Sequence, residues 1–283
     1  MTTVATALAD ARRRGVASLD AQLLLARLLA TTRTRLIAHD DRPLTPVESA
    51  LWEDWLERRL AGEPVAYLLG EKEFHGLALE VDRRVLVPRP ETELLVEWAC
   101  DAVAALASER SRAGDRAPIR VVDLGTGSGA IALALKKAHP QSQITATDVS
   151  PGALAVARRN AERLGLAIEL VEASWWQGLG GRQFDLAIAN PPYVAGDDPH
   201  LATLRHEPAI ALTPGGDGLD ALRAIVAGAS PTLAPGGWLL LEHGFDQAAP
   251  VRELLAGAGF SPVRSRRDLA GHERATGGRR PSS

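Results

Sequence analysis

The chain has 283 residues, 46% of them hydrophobic and 24% charged, with a formal net charge of −3. That length suits one large or two modest domains with a sizeable core, and the near-neutral balance argues against a strongly basic nucleic-acid binder. The single cysteine, Cys100, excludes an internal disulfide, and no stretch reaches the roughly 18 uninterrupted apolar residues of a membrane span. Met1 to Asp10 lacks the long apolar run of a secretory signal, so a cytoplasmic protein is the expectation. The His residues are scattered without a second His at i, i+4 or a second Cys, and no metal is expected.

Residues 1 to about 70 read as helical. Leu24/Leu28 and Leu25/Leu29 share a helix face by their four-residue spacing. Thr45-Pro46-Val47-Glu48 has the form of a helix start, with Thr at the N-cap, Pro at N1 and Glu at N3. Trp52, Leu56 and Leu60 then recur at helical spacing, as do Leu51 and Trp55, and the tryptophans are read as core. Residues 1–90 carry 13 Lys+Arg and 13 Asp+Glu, a neutral surface better suited to a protein partner than to DNA. Residues 71–89 approach period-two alternation through Phe74, Leu77, Leu79, Val81, Val85 and Val87, which predicts a hairpin between two domains. Pro88 and Pro90 stiffen the entry to a helix carrying Leu94, Leu95 and Trp98. The polar stretch 108–118 is expected to be a surface loop.

From Ile119 onward, strand and helix patterns alternate. Strands are expected at 119–124, 143–147, 167–171, 184–189 and 237–242. Helices are expected at 130–138, from Ser150-Pro151 to Gly165, and at 219–229. Such alternation implies an α/β fold with a doubly wound, mostly parallel sheet. Residues 276–283 are Gly-, Arg- and Ser-rich and are expected to fray.

Two motifs carry chemistry. Asp123-Leu-Gly-Thr-Gly-Ser-Gly129 places glycines between a strand and a helix, where backbone amides can face a ligand. Gly125-x-Gly127-x-x-Ala130 also fits a dinucleotide fingerprint, and Asp148 follows at the distance of a ribose-binding acid. A helix N-terminal acid is the alternative for Asp148. The D-L-G-T-G-S-G run resembles motif I of class I methyltransferases more than a pyrophosphate loop. Downstream, an apolar strand ends in Asn190-Pro191-Pro192-Tyr193. The two prolines offer only carbonyl acceptors, Asn190 a side-chain acceptor, and Tyr193 an aromatic face. Together these residues suit a planar –NH2 group held by its hydrogens and turned toward an electrophilic methyl, a catalysis of orientation rather than of a strong base.

The chain as a whole resembles the protein-(glutamine-N5) methyltransferases that modify peptide chain release factors. The segments that carry the resemblance are Gly70-Glu-Lys-Glu-Phe-His-Gly76, Val87-Pro-Arg-Pro-Glu-Thr-Glu93, Asp123 to Gly129, Thr147 to Ser150, Asn190 to Tyr193, Glu207-Pro-Ala-Ile-Ala-Leu212, Gly215-Gly-Asp-Gly-Leu-Asp220 and Asp268 to Gly271. N-P-P-Y is shared with DNA and RNA amino-methyltransferases; the flanking motifs are more specific. The resemblance implies a Rossmann-like class I methyltransferase domain over residues 90–283, a helical docking domain over 1–70 and a hairpin linker over 71–89. It implies that Gly125, Thr126, Gly127, Ser128, Gly129 and Asp148 bind S-adenosylmethionine. Trp175 stands at the adenine-flanking position, with Trp176 the alternative and Ser174 where the family has an acid. Asn190 would touch both methyl donor and substrate, with Pro191, Pro192 and Tyr193 completing the acceptor pocket. The implied partner is a class 1 release factor, whose Gly-Gly-Gln glutamine would be methylated to modulate translation termination by a monomeric enzyme without a nucleic-acid or membrane partner. Arg89, Glu91 and Glu93 are not read as catalytic, because acids in a first helical turn are favoured by the dipole. Adenine-N6 methylation and a non-enzymatic nucleotide-binding module are the competing readings. The Arg264, Arg266, Arg267, Arg274, Arg279 and Arg280 cluster is the feature that would favour the first.

Overall fold

The computed structural model describes residues 2–282, and the chain divides into two compact units after Lys72. The first unit holds α1 (Val4–Arg13), α2 (Ser18–Leu28), α3 (Arg33–Ala38), α4 (Pro46–Leu60) and α5 (Val65–Leu69). Its core includes Leu24, Leu25, Trp52 and Leu56, all nearly inaccessible, with Trp55 packed at the margin. The start of α4 is a capping box: Glu48 N–H donates to Thr45 Oγ1 at 3.2 Å, and Thr45 N–H to Glu48 Oε2 at 2.8 Å.

The division falls inside β1 (Glu71–Phe74), which pairs with β2 (Leu77–Glu80) in a two-stranded sheet. The hairpin ends at Glu80. The apolar alternation beyond it continues without strand pairing, because Val81, Val85 and Val87 are buried individually around a turn from Asp82 to Val85. The rest comprises α6 (Thr92–Arg112), β3 (Arg120–Leu124), α7 (Ala130–Ala138), β4 (Gln143–Asp148), α8 (Pro151–Leu164), β5 (Glu169–Glu172), β6 (Phe184–Ala189), α9 (Asp220–Thr232), β7 (Leu233–Glu242), α10 (Ala248–Gly257), β8 (Val263–Arg267) and β9 (Glu273–Arg279).

These strands form one sheet in the order β5-β4-β3-β6-β7-β9-β8, parallel from β5 to β7, with β9 antiparallel to both its neighbours. Successive residues of a strand face opposite sides. Val121 accordingly joins the core beneath α6 and α7, while Val122 joins the one beneath α9 and α10. The sheet is thus doubly wound, as expected.

Two further expectations are corrected. The helix α6 runs through Arg112 into the stretch read as a loop, and Arg110 explains why. Its guanidinium pairs with Asp185 and donates to the Pro118 carbonyl at 2.9 Å, so the polar end of the helix is tied down. Residues 276–279 do not fray; they complete β9. Glycine there reflects crowding: a Cβ on Gly277 would lie 2.4 Å from the Leu240 side chain, and one on Gly278 2.7 Å from Phe260.

The topology determines where a ligand can sit. The chain leaves β3 for β4 and β5 on one side, then returns to β6 on the other, and the strand ends flanking such a reversal leave a crevice. In the register, Leu124 lies beside both Thr147 and Ala189. Gly125, Asp148 and Asn190 therefore each stand one residue past a common row.

Candidate active site

A cavity of about 540 Å³ opens at those strand ends. Gly125, Thr126, Gly127 and Ser128 line it, together with Asp148, Trp175, Asn190 and Pro192. Three of the expected residues stand behind the wall. Gly129, at φ +83°, is where a Cβ would press on Leu133 at 3.1 Å and Ala157 at 3.3 Å, so it packs the loop onto the helices. Pro191 is buried, and Tyr193 packs against the core beneath α9 and α10.

The glycine loop is held by side chains. Gly127 N–H donates to Asp148 Oδ2 and Ser150 N–H to Asp148 Oδ1, both at 2.9 Å. One half-buried carboxylate thus fixes the loop and the start of α8, and burial pushes it above the usual carboxylate range. Both roles considered for Asp148 are compatible with this position. Asn160, fully buried, donates to the carbonyls of Ser128 at 2.9 Å and Glu80 at 3.0 Å, bracing the loop against β2. Its importance escaped the sequence reading, since an Asn inside a helix carries no motif. Under the loop, Asp123 accepts the Thr126 hydroxyl at 2.6 Å on one oxygen. The other oxygen is buried with no partner among the described residues, and desolvation raises the carboxyl to about 7.

The two adjacent tryptophans separate. Trp175, held at φ +50°, lies over Gly125, where a Cβ would meet its ring at 3.4 Å. Trp176 points away: its Nε1–H donates to the Ile225 carbonyl at 2.7 Å, and its ring covers Gly228 so closely that a Cβ would sit 2.3 Å from it.

On the opposite wall, Asn190 Nδ2 donates to Thr92 Oγ1 at 3.1 Å. Thr92 is the first residue of α6 and is buried. The Tyr193 hydroxyl donates to Glu242 Oε1 at 3.5 Å, a long contact. Burial beside Glu242 raises the Tyr193 phenol well above its ordinary range, and burial lifts Glu242 to about 7. Glu242 stands in the row of Asn190, because Ala189 pairs with Leu241.

The other recognised segments assemble around this wall. Glu207, buried, accepts from Val87 N–H at 3.0 Å and pairs with Arg89 at 2.5 Å, joining two motifs 118 residues apart. Glu93 accepts from His75 N–H at 2.9 Å, a structural contact. Gly218, at φ +81°, lies so near the Tyr193 carbonyl that a Cβ would come within 2.4 Å. Val194 N–H donates to the Leu212 carbonyl at 3.0 Å and Gly196 N–H to the Gly216 carbonyl at 3.1 Å. The C-terminal arginines are largely matched: Arg266 pairs with Asp101 at 2.8 Å, Arg274 with Asp268 at 3.2 Å and Arg279 with Glu109 at 2.5 Å. That pairing removes much of the basic field a nucleic-acid reading requires.

The sheet order, with the glycine loop, acid and N-P-P-Y at adjoining strand ends, is that of a class I methyltransferase. The N-terminal domain of human METTL16 in complex with SAH shares the fold, at a TM-score of 0.53 and 19% identity over 80% of this chain and 84% of that one. Residues 2–70 match the PrmC N-terminal domain and residues 106–244 the methyltransferase small domain. The chain is 48% identical to a release factor glutamine methyltransferase of Burkholderia pseudomallei over 98% of this chain and 97% of that protein. It is also 48% identical to the one of Bordetella pertussis, over 93% and 95%. The chain belongs to the release factor glutamine methyltransferase family and is a methyltransferase.

Proposed function

We propose that this enzyme transfers the methyl group of S-adenosylmethionine to the side-chain amide nitrogen of the glutamine in the Gly-Gly-Gln motif of peptide chain release factors, and so modulates translation termination. The observation that carries the reading is the position of Asn190: at the end of β6, in the cavity wall, with its carboxamide tied to Thr92.

The donor side fits an adenosyl ligand. The amides of Gly125 to Ser128 present the N-terminal end of α7, Asp148 offers a carboxylate to ribose hydroxyls, and Trp175 offers a ring face for adenine. Bound S-adenosylmethionine supplies an electrophilic methyl.

An amide nitrogen is a weak nucleophile, so the protein's task is orientation. Asn190 Oδ1 accepts one N–H of the acceptor amide, and a backbone carbonyl of the N-P-P-Y turn, whose Pro192 lines the cavity, the other. No Cys, His or Lys is among the described residues lining the cavity, consistent with a mechanism that forms no covalent enzyme intermediate. The first unit exposes Val47 and Leu51 on α4, apolar positions suited to docking a protein substrate.

The test is incubation with radiolabelled S-adenosylmethionine and a purified release factor. The expected result is label on the factor, with none on a factor whose Gly-Gly-Gln glutamine is replaced by alanine. Equal labelling of both would overturn the proposal.

A further inference from the structure

We propose that Thr92 and Glu242 are positioning residues that determine which way round the Asn190 carboxamide sits, so that its oxygen and not its NH2 meets the acceptor nitrogen. The inference rests on the acceptor assignment above and adds the means by which this chain enforces it.

A carboxamide has nearly the same shape in its two orientations but opposite hydrogen-bonding character. With Oδ1 toward the cavity, Asn190 accepts from an incoming –NH2. Turned over, it would set two donors against two donors, and the substrate amide would be repelled. Something must select the productive orientation, and Thr92, at the edge of the cavity, and Glu242, behind it, are placed to do so.

The Thr92 hydroxyl has one hydrogen and two lone pairs. Thr92 sits between Asn190, which lies 3.1 Å from its Oγ1, and Glu242, whose carboxyl it stabilises in the ionised form. Burial lifts Glu242 to about 7, so above that pH it is ionised and can only accept. If the Thr92 hydrogen is directed to Glu242, Oγ1 has only lone pairs left for Asn190, and the group that faces it must be the Nδ2 amide. Oδ1 is then left for the cavity. Glu242 has capacity for this bond: Tyr193 approaches one oxygen at 3.5 Å, and the other is buried without a partner among the described residues. Its place on β7 is dictated by the pairing of Ala189 with Leu241, so the three groups are aligned by the sheet and by the first turn of α6. Glu242 does not line the cavity, so it acts through Thr92 and Asn190 and not on the acceptor itself.

Thr92→Val keeps the side-chain shape and removes the hydroxyl. With a release factor as acceptor, we expect kcat to fall on the order of 100-fold, the cost of a misplaced orienting group, while the KM for S-adenosylmethionine stays constant. Thr92→Ser should recover most of the loss. In 15N-labelled protein, one Asn190 Nδ2 proton should exchange slowly with solvent in the wild type and lose that protection in Thr92→Val. Wild-type turnover by Thr92→Val, or no recovery in Thr92→Ser, would overturn the proposal. So would the absence of a protected Asn190 Nδ2 proton in the wild-type protein, a measurement that needs no variant to fold. Active Thr92→Val beside inactive Asn190→Ala would sink the positioning role alone. A wild-type enzyme that does not label the release factor would sink the acceptor assignment beneath it.

Discussion

The two walls of the cavity are built on different plans. The donor wall is local: backbone amides of one glycine loop, closed by an acid at the end of the adjacent strand and a single aromatic ring. The acceptor wall is made of side chains from distant parts of the chain. Asn190 meets Thr92 across 98 residues and Tyr193 meets Glu242 across 49. A wall of backbone tolerates change in side chains so long as glycine conformations persist. A wall of buried polar side chains depends on every partner, because an unsatisfied buried group costs more than a hydrogen bond gains.

The sharpest test of this contrast is Asn190→Ala. It should lower kcat on the order of 1,000-fold, the scale of losing a preorganised polar group at a reacting centre. Cofactor affinity measured by calorimetry and the circular-dichroism spectrum should both be retained. A matched pair of glycines comes next. Gly218→Ala forces a Cβ onto the Tyr193 carbonyl at positive φ and should cost about 3–4 kcal/mol in denaturant unfolding. Gly127→Ala, with nothing within 4 Å of its Cβ, should cost only about 1 kcal/mol.

The third prediction concerns pH. Glu242 titrates near 7 when folded and near 4.5 in an unfolded chain. The folded state therefore favours its protonated form. That contribution is complete below the unfolded value and is lost as pH rises through 7, by roughly 3 kcal/mol. Glu242→Gln should remove this descent, making stability at about pH 8 fall less relative to about pH 5 than in the wild type. Asp123 has the same sign and remains in both proteins, so the difference between their curves isolates Glu242. The smallest effect distinguishes the tryptophans. Trp175→Ala should weaken cofactor binding about tenfold. Trp176→Ala should leave that affinity alone and instead lower the unfolding midpoint, since its ring covers Gly228 and bonds α9.

The same contrast governs what could be read in advance. The glycine loop and the capping box at Thr45 are each contiguous, and Asp148 ends the next strand, so their positions follow from local spacing. The sheet was legible from its alternation of apolar strands and helices. The antiparallel strand β9 was not, because its glycines answer to Leu240 and Phe260 rather than to a turn. The polar end of α6 was missed because its stability comes from Asp185 on another strand. Thr92 and Glu207 stood inside recognised motifs, yet their burial and partners appear only in three dimensions. Glu242, ending a strand that was itself expected, gave no local sign that its carboxyl would be buried beside Tyr193. Trp175 and Trp176 are equivalent in sequence and were separated only by the direction each ring takes.

The stretch between Tyr193 and α9 lies outside the sheet. It is fastened to itself by the Val194–Leu212 and Gly196–Gly216 backbone bonds, and to the rest of its unit through Glu207. A piece so attached behaves as a cassette. Its residues Pro208, Ile210, Ala211, Thr213 and Pro214 line the cavity, so exchanging 194–217 between relatives, with Gly218 and the Arg89–Glu207 pair retained, would alter that part of the wall and leave the glycine loop and Asp148 unchanged.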